Sequence, residues 1–319
     1  MRSGATFGSG CVLAAAVLWG TTGTAAALAP GVGSLAVGAA AMGVGGLLQA
    51  AAAHRVMRVH RAGLAAQWRT LAVAAVAVAV YPLAFYTSMR LAGVAIGTVV
   101  SIGSAPMAAA LVERVIDRQP LSRPWALGAT AGVLGVLVLA LAHPGKEATG
   151  GSGVQPVLGI ALGLLAGVTY ALYSWGAARV MRRGLPSRPV MGAVFGAGGV
   201  LLLPVLLLTG APIVASWSNF AAVAYLALVP MFLGYVLFGR GLAAVPASTA
   251  TTLSLLEPAV AALIAVLVLH EQLPPLGWVG MGILLASLVP LTADSRRLGT
   301  GPGASSPSTS PSRPAEVVS

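Results

Sequence analysis

The stretch AVPASTATTLSLLEPAVAALIAVLVLHEQLPPLGWVG, residues 244–280, is apolar enough to lie in a bilayer, yet it carries Glu257 and Pro258 side by side near its centre. An ionised carboxylate at mid-bilayer costs about 2.5–3.5 kcal/mol on insertion scales. Proline removes a donor from the helix ladder. The same stretch lies without a gap over residues 92–128, AGVAIGTVVSIGSAPMAAALVERVIDRQPLSRPWALG, displaced by 152 positions. Ala95 then meets Ala247, Pro106 meets Pro258, Ala109-Ala110-Leu111 meet Ala261-Ala262-Leu263, Leu121 meets Leu273 and Gly128 meets Gly280. Near-matching prolines occur earlier in each half, in YPLAFY (81–86) and VPMFLGY (229–235).

Around this repeat the composition leaves one solvent. Of 319 residues, 57% are hydrophobic and 8% charged, with a mean hydropathy of +0.91. A soluble domain carries about 25% charged residues. So much apolar surface cannot be hidden in the chain's own interior, so lipid must cover it. The net charge of +11 does not indicate nucleic acid, because the basic residues sit in short loops between apolar runs. The single Cys11 rules out an internal disulfide and a cysteine metal cluster, and the dispersed His54, His60, His143 and His270 make no metal site. No Walker-type glycine loop is present, so ATP is not the direct driver, and no cofactor is expected.

Runs near 20 residues are candidate membrane helices. Ten are expected, at 8–29, 32–53, 70–89, 92–113, 124–142, 156–178, 189–209, 219–239, 244–269 and 275–293. The first follows Arg2 but ends without a convincing cleavage site, which predicts a retained helix rather than a signal peptide. Residues 294–319, rich in Ser, Pro and Gly, are expected to form a disordered cytoplasmic tail. With the N-terminus inside, 16 of the 18 basic residues fall in inner segments, and only Arg90 and Lys146 fall outside. That asymmetry predicts a multi-pass protein of the cell membrane with both termini cytoplasmic.

The fold class expected is therefore all-α and membrane-integral, with ten helices in two halves: 1–143 and 156–293, joined by an external linker at 144–155. Each half holds five spans. An odd number turns the second half over, giving the inverted repeats typical of secondary transporters, whose sites lie near the midplane between halves.

At this point the sequence resembles the EamA-type branch of the drug/metabolite transporter superfamily. The family pattern is carried by LSLLEPAVAALIAVLVLHEQLPPLGWVGMGILL (253–285), by a degraded copy in SIGSAPMAAALVERVIDRQPL with Gln119 where Glu271 stands in the second half, and by WGTTG (19–23). The resemblance covers residues 8–293 and implies a carrier that exports a small metabolite such as an amino acid, with drug efflux the alternative; some members import.

Glu257 is the only acid deep in any expected span. It must face protein or a water-filled cavity, and helical spacing puts Ala247, Ala250, Ser254 and Ala261 on its side. Pro258 is expected to free the carbonyl of Ser254, and Pro106 that of Ile102. Glu257 reads as a proton site or a contact for a substrate amine, against a structural reading as a protonated clamp between helices. Trp19, Thr22, Tyr86, Ser104, Tyr170 and Tyr173 are the further substrate-site candidates. Thr21, Tyr81, Ser101, Trp175, Tyr225 and Tyr235 are a wider set of possible cavity residues. Glu113, next to Arg114, reads as a solvated pair at the membrane surface. The Gly93–Gly97, Gly128–Gly132, Gly159–Gly163 and Gly192–Gly196 spacings read as helix contact faces.

The expected partners are a small-molecule substrate and the bilayer, with protons a candidate coupling ion and a monomer or homodimer as the assembly. A membrane-embedded enzyme would need several ionisable groups at one depth, whereas the spans offer a single carboxylate. A non-transporting subunit would need no acid at mid-membrane.

Overall fold

The computed structural model describes residues 2–142, 154–268 and 274–298. His143, Lys146, His270, Glu271 and residues 299–319 lie outside these. Among the described residues the chain is helical throughout and contains no strand. The first half runs α1 (Arg2–Gly20), α2 (Thr22–Ala27), α3 (Ser34–Val59), α4 (Arg61–Ala66), α5 (Trp68–Ala92), α6 (Val94–Ile116) and α7 (Arg123–Ala142). The second runs α8 (Val154–Arg182), α9 (Ser187–Thr209), α10 (Ala211–Val214), α11 (Trp217–Leu226), a π-helical stretch (Ala227–Gly234), α12 (Tyr235–Leu242), α13 (Ala247–Leu253), α14 (Leu256–Val268) and α15 (Pro275–Leu298). The last helix thus continues past residue 293, beyond the expected start of the tail.

Eight helical spans among the described residues are long and apolar enough to cross a membrane. The fifth and tenth expected spans correspond to shorter apolar stretches, Arg123–Leu139 and Pro275–Val289. Large apolar side chains such as Leu111, Leu127, Leu207 and Leu208 stand on the outside, Leu208 at 86% exposure. Lipid is the solvent that such a surface requires.

Small residues let the helices meet backbone to backbone. The broadest contacts are α3 on α9, α5 on α8 and α7 on α15. In the first, a methyl group added at Gly46 would overlap the Phe195 carbonyl oxygen, and one at Gly199 would sit 2.7 Å from that of Gly43. In the third, one at Gly280 would reach 2.5 Å from the Leu139 nitrogen. Gly192 and Gly196, one of the expected contact pairs, pack on Ala53 and Ala50. Further contacts join α6 to α8 and α13, and α1 to α12, α14 and the π-helical stretch. Gly93 and Gly184 have φ of 88° and 93°, the left-handed region that glycine permits, at the turns into α6 and α9.

One end of the bundle gathers the basic connections. Arg179 and Arg182 at the end of α8 hold Asp117 just after α6, and Trp175 Nε1 donates to the same carboxylate at 2.8 Å. Arg183 donates to Gln67, and Arg188 to the Ala52 carbonyl. At the opposite end the Tyr225 hydroxyl donates to Thr21 at 2.9 Å and the Ser218 hydroxyl to the Leu28 carbonyl at 2.9 Å.

The expectation for Glu113 fails. It is 1% exposed, and its carboxylate accepts from the backbone N–H of Ala247 at 2.8 Å and of Ser248 at 3.4 Å. The first N–H groups of a helix have no intrahelical acceptor, and Pro246 at the N-cap offers no side-chain acceptor to the α13 terminus. A carboxylate from α6 fills that need and complements the helix dipole. Replacing Glu113 by Ala should therefore destabilise the protein by about 1–3 kcal/mol. Glu113→Gln, which keeps one acceptor oxygen, should cost less. Thermal unfolding in detergent would rank the three, and an unchanged melting temperature for Glu113→Ala would refute the cap.

Candidate functional site

The ninth expected span is a broken helix. It is rich in hydroxyls: Ser248, Thr249, Thr251, Thr252 and Ser254 are all buried. The hydroxyls of Thr251, Thr252 and Ser254 donate back to carbonyls of their own helix, a habit that bends helices. The ladder ends at Ser254 and restarts at Leu256, with the Leu255 N–H on the Thr252 carbonyl and the Glu257 N–H on the Ser254 carbonyl at 3.0 Å. The Ser254 carbonyl is thus not free, contrary to the expectation drawn from Pro258. The tight turn ahead of the proline supplies a donor. In the first half, α6 runs through Pro106 as one helix, so the matching prolines have different outcomes.

Glu257 stands in the first turn of α14 and faces a cavity with about 430 Å³ of empty space, its opening included. The wall is shared between the halves. Trp19, Thr22, Gly38, Ala41, Met42, Tyr81, Pro82, Phe85 and Tyr86 come from the first, and Tyr170, Met231, Tyr235 and Glu257 from the second. Among the described residues no hydrogen-bond donor or cation pairs with the Glu257 carboxylate.

The π-helical stretch contributes Met231 to the wall. Pro230 lies within it, and the widened ladder leaves carbonyls for side chains to use. Trp19 Nε1 donates to the Pro230 carbonyl at 2.9 Å, and Gln49 Nε2 donates to that of Met231 at 3.5 Å. Gly234 gives the Trp19 indole its room, since a Cβ there would lie 2.7 Å from Nε1. The rings form a connected layer: Trp19 to Tyr235 at 4.8 Å between centroids, Tyr81 to Tyr170 at 5.6 Å, Tyr170 to Tyr173 at 5.2 Å. Tyr170 donates to the Ser254 hydroxyl at 2.9 Å, and the Tyr173 and Tyr235 hydroxyls share a hydrogen bond at 2.8 Å. Two hydroxyls of the wall, on Thr22 and Tyr86, are buried without a partner.

Of the residues singled out from sequence, Trp19, Thr22, Tyr81, Tyr86, Tyr170, Tyr235 and Glu257 meet at this cavity. Ser254 and Tyr173 stand behind it, bonded to Tyr170 and Tyr235 respectively. Pro258 adjoins Glu257 in α14. Ser104 and Pro106 are not in the wall: Gly167 packs on the Ser104 hydroxyl, which donates to the Ser101 carbonyl at 3.3 Å, in the α6–α8 contact. Trp175 and Tyr225 belong to the two ends of the bundle. Sequence reasoning does not single out Gln49, Met42 or Phe85. A glutamine in the middle of an alanine-rich span is the available signal for the first. The other two are apolar residues that spacing alone cannot tell from core.

An all-helical, multi-pass membrane bundle with a carboxylate at a helix break, facing a cavity between its two halves, has the build of a membrane transporter. Comparison with known proteins agrees. A model of the "EamA-like transporter family" matches residues 157–292. "Uncharacterized transporter YwfM" of Bacillus subtilis (strain 168) is 34% identical over 296 residues, 92% of this chain and 96% of that protein. "Protein PecM" of Dickeya dadantii (strain 3937) is 27% identical over 225 residues, 70% of this chain and 72% of that protein. A solved structure titled "Crystal structure of protein" shares the fold, with a TM-score of 0.74 at 21% identity, covering 93% of this chain and 99% of that one. The chain belongs to the EamA-like transporter family, which points to a transporter rather than an enzyme.

Tyr86 and Tyr170 allow a contrast. Removing an unpartnered buried hydroxyl relieves a desolvation cost, whereas removing a bonded one forfeits the bond. Tyr86→Phe should leave the melting temperature in detergent unchanged or raised. Tyr170→Phe should lower stability by about 1 kcal/mol. A loss from Tyr86→Phe as large as that from Tyr170→Phe would mean that the Tyr86 hydroxyl has a partner.

Proposed function

We propose that the protein is a secondary carrier that exports a small metabolite across the cell membrane by alternating access, with the cavity at Glu257 as its substrate or coupling site. The observation that carries this reading is a carboxylate with no partner among the described residues, held at the restart of a broken helix in a cavity walled by both halves. A purely structural clamp would be bonded across the helices.

The ten-helix inverted repeat is part of the same reading. The contacts support it, because exchanging the halves maps them onto one another. Contact of α1 with α12 and the π-helical stretch corresponds to α8 with α5, and contact of α1 with α13 and α14 corresponds to α8 with α6. The α3–α9, α7–α15 and α6–α13 contacts map onto themselves. Halves related in this way can rock about the contacts that they share. The cavity wall is drawn from the start of α3 and the later part of α5, so it lies towards the end opposite the basic loops. Beneath it, towards the basic end, follow Tyr173 with Tyr235, then the Glu113 cap and the Asp117 cluster. These closing contacts would have to part for the cavity to open to the other side. With both termini cytoplasmic, the closed end is the inner one.

Two measurements test this. A tag at Trp217 should be reachable from outside intact cells and a tag at Arg183 shielded, and external labelling at Arg183 would overturn the orientation. Glu257→Gln keeps the size of the side chain but cannot ionise. It should insert and fold normally while net pH-driven transport into liposomes falls by roughly tenfold or more, the scale on which removal of one charge acts. Full pH-driven transport by correctly inserted Glu257→Gln would remove Glu257 from the mechanism.

A further inference from the structure

We propose that the cavity is built for an organic ammonium group, so that the substrate is a small amine with an apolar or planar body. This deepens the transporter reading and rests on the cavity being the substrate site.

The sign of the charge comes first. Among the described residues Glu257 is the only carboxylate in the wall, and no Lys, Arg or His lines it to neutralise that charge or to hold an anion. Of the N–H groups at the break, those of Leu255 and Glu257 are already bonded within the chain, and Pro258 has none. A substrate carboxylate or phosphate would meet the Glu257 carboxylate with no cation in the wall to offset it.

The rest of the wall suits the body of an ammonium ion. Aromatic faces attract cations, more strongly where water is scarce. Trp19, Tyr81, Tyr170 and Tyr235 line one cavity as a connected layer with Glu257 among them. Their hydroxyl and indole hydrogens are engaged elsewhere for three of the four: Trp19 with Pro230, Tyr170 with Ser254 and Tyr235 with Tyr173. Fixing these polar groups holds the rings in place. The hydroxyls of Thr22 and Tyr86 are buried in the wall without a partner, and Thr22 is only 8% exposed. Both can accept from an ammonium N–H while Glu257 balances the charge.

The test uses three probes that share a phenyl ring and differ in charge: phenethylammonium, 2-phenylethanol and 3-phenylpropionate. Calorimetry on the full chain in nanodiscs should find that phenethylammonium binds roughly tenfold or more tighter than the alcohol, the scale expected of one charge over aromatic faces, and that the anion binds weakest. In Glu257→Gln the preference for the cation over the alcohol should collapse. Equal affinities, preference for the anion, or no binding of phenethylammonium at millimolar concentration would overturn the proposal. The comparison of probes needs only the parent protein, so a poorly folded variant does not weaken it. Flux of the same probes in liposomes separates this proposal from the one beneath it. Cation-selective binding without any flux would sink the carrier reading and leave the ammonium site. Flux of the anion that survives Glu257→Gln would do the opposite.

Discussion

Lipid satisfies no hydrogen bond and no charge, and every polar group placed within the bundle has to be answered by the protein itself. The ninth span is where this constraint bears hardest. It contains five buried hydroxyl residues, a proline and a carboxylate within about one helix length. The chain answers by breaking the helix at Ser254, turning hydroxyls onto local carbonyls and leaving Glu257 beside a cavity shared by both halves. Much else is arranged around that break. Tyr170 reaches it from α8, Trp125 Nε1 donates to Thr252 at 3.2 Å from α7, and Glu113 caps the half-helix from α6. The π-helical stretch repeats the solution in another helix, where carbonyls released near Pro230 are taken up by Trp19 and Gln49.

Much of this is legible in the amino-acid sequence. Hydropathy locates the helices because lipid leaves little choice between spanning and not spanning, and eight of the segments meet that criterion here. The cavity residues are legible where chemistry is conspicuous: an acid in an apolar run, a tryptophan in the WGTTG motif, tyrosines in mid-span. What stays hidden depends on contacts between remote segments. Glu113 beside Arg114 looks like a surface pair, and only the arrival of the α13 terminus 134 residues later gives its carboxylate another use. Pro258 invites the inference of an unpaired carbonyl, but a three-residue turn closes on it first. Ser104 has the composition of a cavity residue and the neighbours of a packing residue, because Gly167 lies against it. Hydropathy reports the depth of a side chain, whereas its facing is settled by which helix comes alongside.

The glycine seam between α3 and α9 bears on how such a chain can vary. Substitutions are usually ranked by chemical mildness, with glycine to alanine near the gentle end. Along this seam that ranking inverts. At Gly46 and Gly199 the added methyl would press on main-chain oxygen, which has no rotamer to retreat into, so one carbon would push apart two helices from opposite halves. The cavity wall shares the constraint at Gly38, where the added methyl would sit 3.1 Å from the Pro82 carbonyl oxygen. Sequence drift in this chain is therefore channelled. The seams that join the helices resist even small change, whatever the chemistry of the replacement.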